Sequence, residues 1–277
     1  MNPIRPTSDH GVMLDVSPES AGWTYVSFRA VRLAGGETYR GETGGREVAM
    51  VPIQGAATVR AGSESFRLTR ESVFTELPFV LYLPPGTRFG VEAEEPGFEF
   101  TVGGAPAEGR YPLRLFRPDE MRVEMRGGAN AYRQVSHVLG PHLPAERLYL
   151  FEVYTPSGSW SGWPPHRHDG EEGSAYVEET YYYKVEPANG WGIHRNYTKG
   201  GDVGELIVVR DGDLVMVPRG FHPVVAPPGS NLYYLNYMAG ELQDEARATP
   251  PVDDADWAWM REDWEGRPVK LPIRSER

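Results

Sequence analysis

Two histidines one residue apart, His166 and His168, stand before a glutamate pair, Glu178 and Glu179, and a third histidine, His222, closes the turn Pro218-Arg219-Gly220-Phe221-His222. Imidazole and carboxylate at these spacings point to metal binding. Side chains alternate faces along a strand, so His166 and His168 point the same way and can grip one ion together. Three nitrogens and one carboxylate suit zinc, manganese, iron or nickel, whereas calcium or magnesium would call for mostly oxygen ligands. The chain has no cysteine, which excludes disulfides, thiolate nucleophiles and sulfur-ligated zinc sites.

Four glutamates are close enough in sequence to supply the carboxylate. Glu171 and Glu172 lie in Asp169-Gly170-Glu171-Glu172-Gly173-Ser174, a turn composition, and read as solvated loop charges. Glu178 and Glu179 open a β-prone run, and only one of them can face inward. Glu179 takes Tyr181 and Tyr183 with it, whereas Glu178 takes Tyr182 and Lys184. Glu179 is preferred, which gives His166, His168, Glu179 and His222 as the ligand set. His10, His137, His142 and His194 lack a partner at a strand-compatible spacing and are assigned to the surface or to positions behind the ligands.

The elements that carry these residues read as strands. Within 277 residues, 32 glycines and 25 prolines punctuate runs rich in Val, Tyr, Phe, Thr and Leu, the texture of an all-β protein with few short helices. Val80–Leu83 runs into Pro84-Pro85-Gly86-Thr87-Arg88 just as Leu214–Val217 runs into Pro218-Arg219-Gly220-Phe221-His222. Two copies of one β-module are expected, with Arg88 standing where His222 stands. Residues 1–125 would form a unit without metal histidines and residues 126–277 the metal-binding one. Residues 94–109 and 117–130, rich in Gly, Pro, Ala and charge, mark the junction. Residues 253–260 read as a short capped helix whose aromatics pack back on the body.

A formal charge of −11, from 39 acidic and 28 basic side chains, argues against nucleic acid or an anionic membrane as partner. An anionic small molecule would need a local basic patch. No apolar run approaches the roughly 18 residues of a membrane span, and residues 1–6 lack a signal-peptide core, so a cytoplasmic location is expected.

The His-x-His pair, the glutamate and Gly212-x5-Pro218-x-Gly220-x-His222 resemble the two signature motifs of the cupin superfamily, jelly-roll barrels that hold a metal between their sheets. Ten residues separate His168 from Glu179, more than usual members have. More closely, Trp160-Ser161-x-Trp163-Pro164-Pro165-His166-Arg167-His168-Asp169, a short acidic insertion, Glu178-Glu179-Thr180-Tyr181-Tyr182-Tyr183, and Tyr233-Tyr234-Leu235-Asn236-x-Met238-Ala239-Gly240 resemble the 5-deoxy-glucuronate isomerase family of inositol catabolism. Ala34-Gly35-Gly36-Glu37 and Arg126-Gly127-x-x-Asn130-x-x-Arg133 extend the resemblance over nearly the whole chain. It implies a two-cupin fold and a small uronic acid substrate, while the ligand set itself calls for one divalent transition metal, zinc first and manganese, iron or nickel next. The implied reaction converts 5-deoxy-D-glucuronate into 2-deoxy-5-keto-D-gluconate.

Such an isomerase moves a hydrogen between C1 and C2, against the weak acidity of the carbon beside the carbonyl. A cationic centre offsets the charge of the enediolate while a base carries the proton. Glu152, Tyr183 and Lys184 are candidates for that base. Arg133, Arg195 and Arg126 are candidates for the substrate carboxylate, which arginine can hold with two hydrogen bonds, and Tyr181 is a further candidate substrate contact. An iron-dependent cupin dioxygenase and a non-catalytic sugar-binding cupin are the competing readings. Association through edge strands into a homo-oligomer is expected.

Overall fold

The structure is a computed structural model describing residues 2–264, built almost entirely from strands, with one short α-helix at Pro18–Ala21. In the first half, β1 (Gly11–Val16), β2 (Ser27–Ala34), β3 (Thr38–Glu42), β4 (Arg46–Ala61), β5 (Glu64–Arg70), β6 (Val80–Leu83), β7 (Arg88–Pro106) and β8 (Arg114–Phe116) form one sheet. Its order is β1-β2-β7-β4-β6-β8, with β3 on β7 and β5 on β4. Strands β4 and β7 are 16 and 19 residues long and change partners along their length, so the sheet folds back on itself. Gly55 makes one such bend. Its φ is +94° and a Cβ there would fall 2.1 Å from the Gly97 carbonyl oxygen, a position that only glycine fills. Residues 94–106, expected at the junction, instead belong to β7, where their Gly and Pro mark a bend inside a strand. Val31, Val48, Met50, Leu81, Leu83, Phe98 and Phe100 fill the interior with apolar side chains.

The second half contains β9 (Arg122–Arg126), β10 (Arg133–Leu139), β11 (Tyr149–Thr155), β12 (Trp160–Ser161), β13 (His166–Arg167), β14 (Val177–Glu186) and β15 (Gly192–Tyr197). It continues with β16 (Gly204–Val209), β17 (Leu214–Val217), β18 (Val224–Val225), β19 (Asn231–Gly240) and β20 (Val252–Asp253). A six-stranded sheet, β17-β14-β19-β11-β10-β9, packs on a four-stranded sheet, β12-β18-β15-β16. Val135, Val153, Tyr181, Tyr183 and Tyr234 of the first meet Ile207, Val209 and Val224 of the second. The sheets change between Phe116 and Arg122, so a division at 125/126 would cut β9.

Strand β14 is buried on both faces. Tyr181 and Tyr183 enter the second barrel, while Tyr182 turns to the first half, its ring 5.6 Å from that of Phe28. Such a strand has no polar face, which is why Val177–Glu186 shows no polar alternation.

Strand register aligns the halves. Val48 pairs with Leu83 on β6 and Glu179 pairs with Val217 on β17, and each partner precedes a Pro-x-Gly turn. Val48 therefore occupies the place of Glu179, Glu47 that of Glu178, and Arg88 that of His222. The matched glutamates do matched work across the interface. Glu178 accepts the backbone N–H groups of Thr24, Tyr25 and Val26, and Glu47 accepts those of Glu146, Arg147 and Leu148. Glu178 thereby caps the entry to β2 and Glu47 the entry to β11.

The helix expected over residues 253–260 is reduced to one 3-10 turn at Ala258–Arg261. Val252 and Asp253 instead pair with Arg167 and His166, and Asp254 binds Tyr197 and Lys199. Tertiary pairing outcompetes the local helix signal, although Trp257 does pack back, 5.3 Å from the ring of Trp163.

Candidate metal centre

His166 lies on β13 and His168 just after it, Glu179 faces the barrel interior from β14, and His222 follows the turn that ends β17. His168, Glu179 and His222 are buried, and one ligand atom from each lies within 4.8 Å of the others. His168 Nε2 is 2.8 Å, and His222 Nε2 3.3 Å, from the same Glu179 oxygen, Oε2. Atoms bound to one ion at about 2.0–2.2 Å stand about 3 Å apart, so these separations fit a shared cation. His166 flanks the triplet, its ring centroid 4.9 Å from that of His222 and 6.3 Å from that of His168.

The nitrogens themselves ask for a cation. His168 Nδ1 faces the Val177 carbonyl at 3.0 Å while Nε2 faces Glu179, and a neutral imidazole has only one N–H for these two acceptors. His222 donates Nδ1–H to the Gly220 carbonyl at 2.9 Å, which leaves the Nε2 lone pair buried with no hydrogen bond. A metal at the common point satisfies both. Burial, then the neighbouring His222 and His168 rings, push the His166 imidazolium well down, so this ring too presents a lone pair. Burial also penalises the Glu179 carboxylate, but the adjacent His168 and His222 rings outweigh it and hold the group below the ordinary carboxylate range.

A cavity of about 470 Å³ opens over the cluster. Alternate residues of the six-stranded sheet line it: Arg133, Val135 and His137 from β10; Tyr149, Phe151 and Val153 from β11; Tyr234, Asn236 and Met238 from β19; Glu179 and Tyr181 from β14. Arg126, Trp163, His166, His168, Arg261 and Trp264 are also part of the wall. Arg133 is only 7% exposed, donates to the Ala131 and Trp163 carbonyls, and meets no carboxylate among the described residues. Burial lowers its affinity for the proton, and the charges of Arg126 and Arg261 add to that. The Tyr234 hydroxyl bonds Ser161; burial pushes it up, but Ser161 and Arg133 limit the rise to about 12.

Of the other sequence candidates, Tyr181 lines the cavity and four lie elsewhere. Glu152 points away from its neighbours Phe151 and Val153, into the interface, where both oxygens bind Arg70 at 2.7 and 2.9 Å. Lys184 shares the face of Tyr182 and pairs with Asp211 and Glu99 at 2.9 and 3.3 Å. Arg195 turns outward from β15 and lies 4.0 Å over the Tyr197 ring. Tyr183 sits one layer below the cavity wall, its hydroxyl 2.8 Å from His194 Nδ1. Glu172, read as a solvated loop charge, is exposed and also accepts Arg167 Nη1 at 2.7 Å.

Asn236 and Arg261 escaped the sequence reading. Asn236 shares the inward parity of Tyr234, a signal that was present. Arg261 arrives through tertiary folding of a distant segment and left none.

The sequence matches the KduI/IolB family over residues 3–260. The chain belongs to the KduI/IolB family. Its similarity to a Geobacillus kaustophilus (strain HTA426) protein named 5-deoxy-glucuronate isomerase is 40% identity over 260 residues, covering 92% of this chain and 93% of that one. A Lacticaseibacillus casei protein of the same name is 34% identical over 232 residues, covering 82% and 85%. In three dimensions the KduI/IolB chain resembles an IolB-like protein from Salmonella typhimurium LT2, with a TM-score of 0.88, 37% identity and coverage of 93% and 98%. A mutant of Bacillus subtilis oxalate decarboxylase shares the bicupin fold at a TM-score of 0.60 and 14% identity, over 87% of this chain and 78% of that one.

Proposed function

We propose that this chain is a metal-dependent aldose–ketose isomerase that converts 5-deoxy-D-glucuronate into 2-deoxy-5-keto-D-gluconate in inositol catabolism. The observation that carries the reading is a cavity with a divalent-metal ligand set at one wall and an unpaired buried guanidinium, Arg133, at another. The 40% identical relative named for this reaction supports the substrate. The oxygenase and non-catalytic alternatives gain no support from the named relatives.

His166, His168, Glu179 and His222 would hold the ion, with zinc the first choice. When bound, it supplies a positive centre that acidifies the carbon beside the carbonyl. Arg133 fixes the substrate carboxylate and thereby the distance from that end to the reacting C1 and C2. Tyr181 contacts the substrate beside Glu179. Tyr234 carries a proton at its hydroxyl and can donate it to the substrate oxygen that gains charge, with Ser161 as its hydrogen-bond partner. Phe151, Val153 and Met238 exclude water from the cavity wall.

The test is loss of the substrate aldehyde by purified protein, paired with elemental analysis before and after chelation. Activity and metal should leave together while the fold persists; full turnover by metal-free protein would overturn the reading.

The proposal divides the chain into two cupin units between Phe116 and Arg122, following the change of sheet. It also includes a cytoplasmic homo-oligomer. No helix of the described residues is long and apolar enough to cross a membrane. Leu206 and Val208, on edge strand β16, are 73% and 47% exposed, which favours self-association and is checked by light scattering.

A further inference from the structure

We infer that Arg167 and Asp169 are positioning residues for the metal, locking the His-x-His segment to the turn that carries His222. The inference rests on the metal reading above. Asp169, next to His168, receives Arg167 Nε and Nη2 in a two-pronged fork, each at 2.7 Å. The same carboxylate accepts the Gly220 N–H at 2.7 Å, and the Gly220 carbonyl accepts the His222 Nδ1–H at 2.9 Å. A continuous path therefore runs from the residue after one histidine to the ring orientation of another.

The Gly220 peptide has no freedom to answer differently. Its φ is +90°, and an added Cβ would fall 2.5 Å from the Tyr197 carbonyl oxygen. Phe221 is bridged to Tyr197 on both of its backbone groups, and the Arg167 guanidinium lies 5.3 Å over its ring. Arg167 thus touches the second motif directly as well as through Asp169.

The acidic insertion completes the brace. Glu172, at a φ of +52°, takes Arg167 Nη1 at 2.7 Å, and Ser174 Oγ accepts the N–H groups of Asp169 and Gly170 at 3.2 Å each. Side chains of Arg167 and Asp169 are each 5% exposed. A desolvated pair of this kind contributes little net stability, so its use lies in fixing one geometry. The ten residues between His168 and Glu179 then have a physical role, since a short connection could not deliver Glu172 and Ser174.

The experiment compares wild type, Asp169→Ala, Arg167→Lys and His222→Ala. Each is loaded with Co(II), and the readouts are the Co(II) dissociation constant by chelator competition and the visible absorption of the bound ion. Asp169→Ala should weaken Co(II) binding about 10- to 100-fold and alter the absorption band, the range found when groups behind metal ligands are removed. Arg167→Lys should shift both in the same direction, because an ammonium cannot reproduce the fork. This milder variant keeps the question open to refutation should Asp169→Ala fail to fold. Affinity and spectrum like the wild type in both variants, whatever the melting temperature, would overturn the inference while the metal reading stood. Equal Co(II) binding by wild type and His222→Ala would overturn the metal reading, and the inference with it.

Discussion

Arg133 is the residue whose surroundings ask most plainly for a ligand. A buried guanidinium usually meets a carboxylate, as Arg70 meets Glu152, yet Arg133 meets two backbone carbonyls and the charges of two further arginines. An anion in the cavity supplies the missing partner. Hydrogen bonds to charged groups are worth about 1.5–3 kcal/mol, and each 1.4 kcal/mol is a tenfold change. Arg133→Ala should therefore raise KM for the uronate about 10- to 100-fold, with a smaller effect on kcat, measured by steady-state kinetics. Tyr234→Phe makes the complementary expectation. It removes only the hydroxyl bonded to Ser161, so kcat should fall about 100-fold, within the usual range for a proton-transfer group, while KM changes little. An unchanged kcat would remove Tyr234 from the proton path.

Alternation along strands explains both what the sequence disclosed and what it concealed. Parity chose Glu179 over Glu178 and carried Tyr181 inward, and the same rule places Lys184 outside with Glu178 and Tyr182. Glu152 looked like a functional acid because it interrupts an apolar strand. The outward face of β11 is itself buried against the first half, so an outward carboxylate there is neither solvated nor in the cavity. Arg195 failed for the opposite reason, its face of β15 being open. The repeat of a Pro-x-Gly turn revealed two copies and placed Arg88 at the position of His222, but the bends in β4 and β7 made continuous strands look like separate ones and a linker. Arg261, which reaches the cavity from the turn Ala258–Arg261, carried no local pattern. Turn geometry yields its own prediction. Gly220→Ala forces a Cβ against the Tyr197 carbonyl at positive φ, a strain of about 1–3 kcal/mol, and it displaces the carbonyl that aims His222. Metal content after dialysis should drop with the melting temperature, whereas Gly229→Ala, at a φ of +90° with open space around it, should lower the melting temperature alone.

At the scale of the molecule, the half that carries the candidate metal cluster packs on a half with no such cluster among the described residues, and buried charges join them. Arg70 and Glu152 are fully buried, with Tyr233 and Tyr154 donating to the same carboxylate. Breaking such a pair costs about 3–5 kcal/mol. Glu152→Ala should lower the melting temperature by several degrees yet leave kcat/KM per folded molecule near the wild-type value, which separates a structural role from a catalytic one. Glu99 reports a second joint through its pH response. It comes from β7 and meets Arg32 of its own half together with Lys184 and the Tyr182 hydroxyl of the other. Burial alone would raise its pKa, but Lys184 and Arg32 outweigh burial and hold it below the ordinary 4.5. The folded protein therefore binds this proton less readily than the unfolded chain. The stabilisation is fully present above about pH 4.5 and is lost as pH falls through the depressed value of the folded state. Glu99→Gln removes that dependence while keeping the shape of the side chain. Urea midpoints of wild type and Glu99→Gln between pH 7 and about 3 should converge on acidification, the variant being less stable at neutral pH. Parallel curves would mean that the carboxylate contributes nothing to joining the two halves.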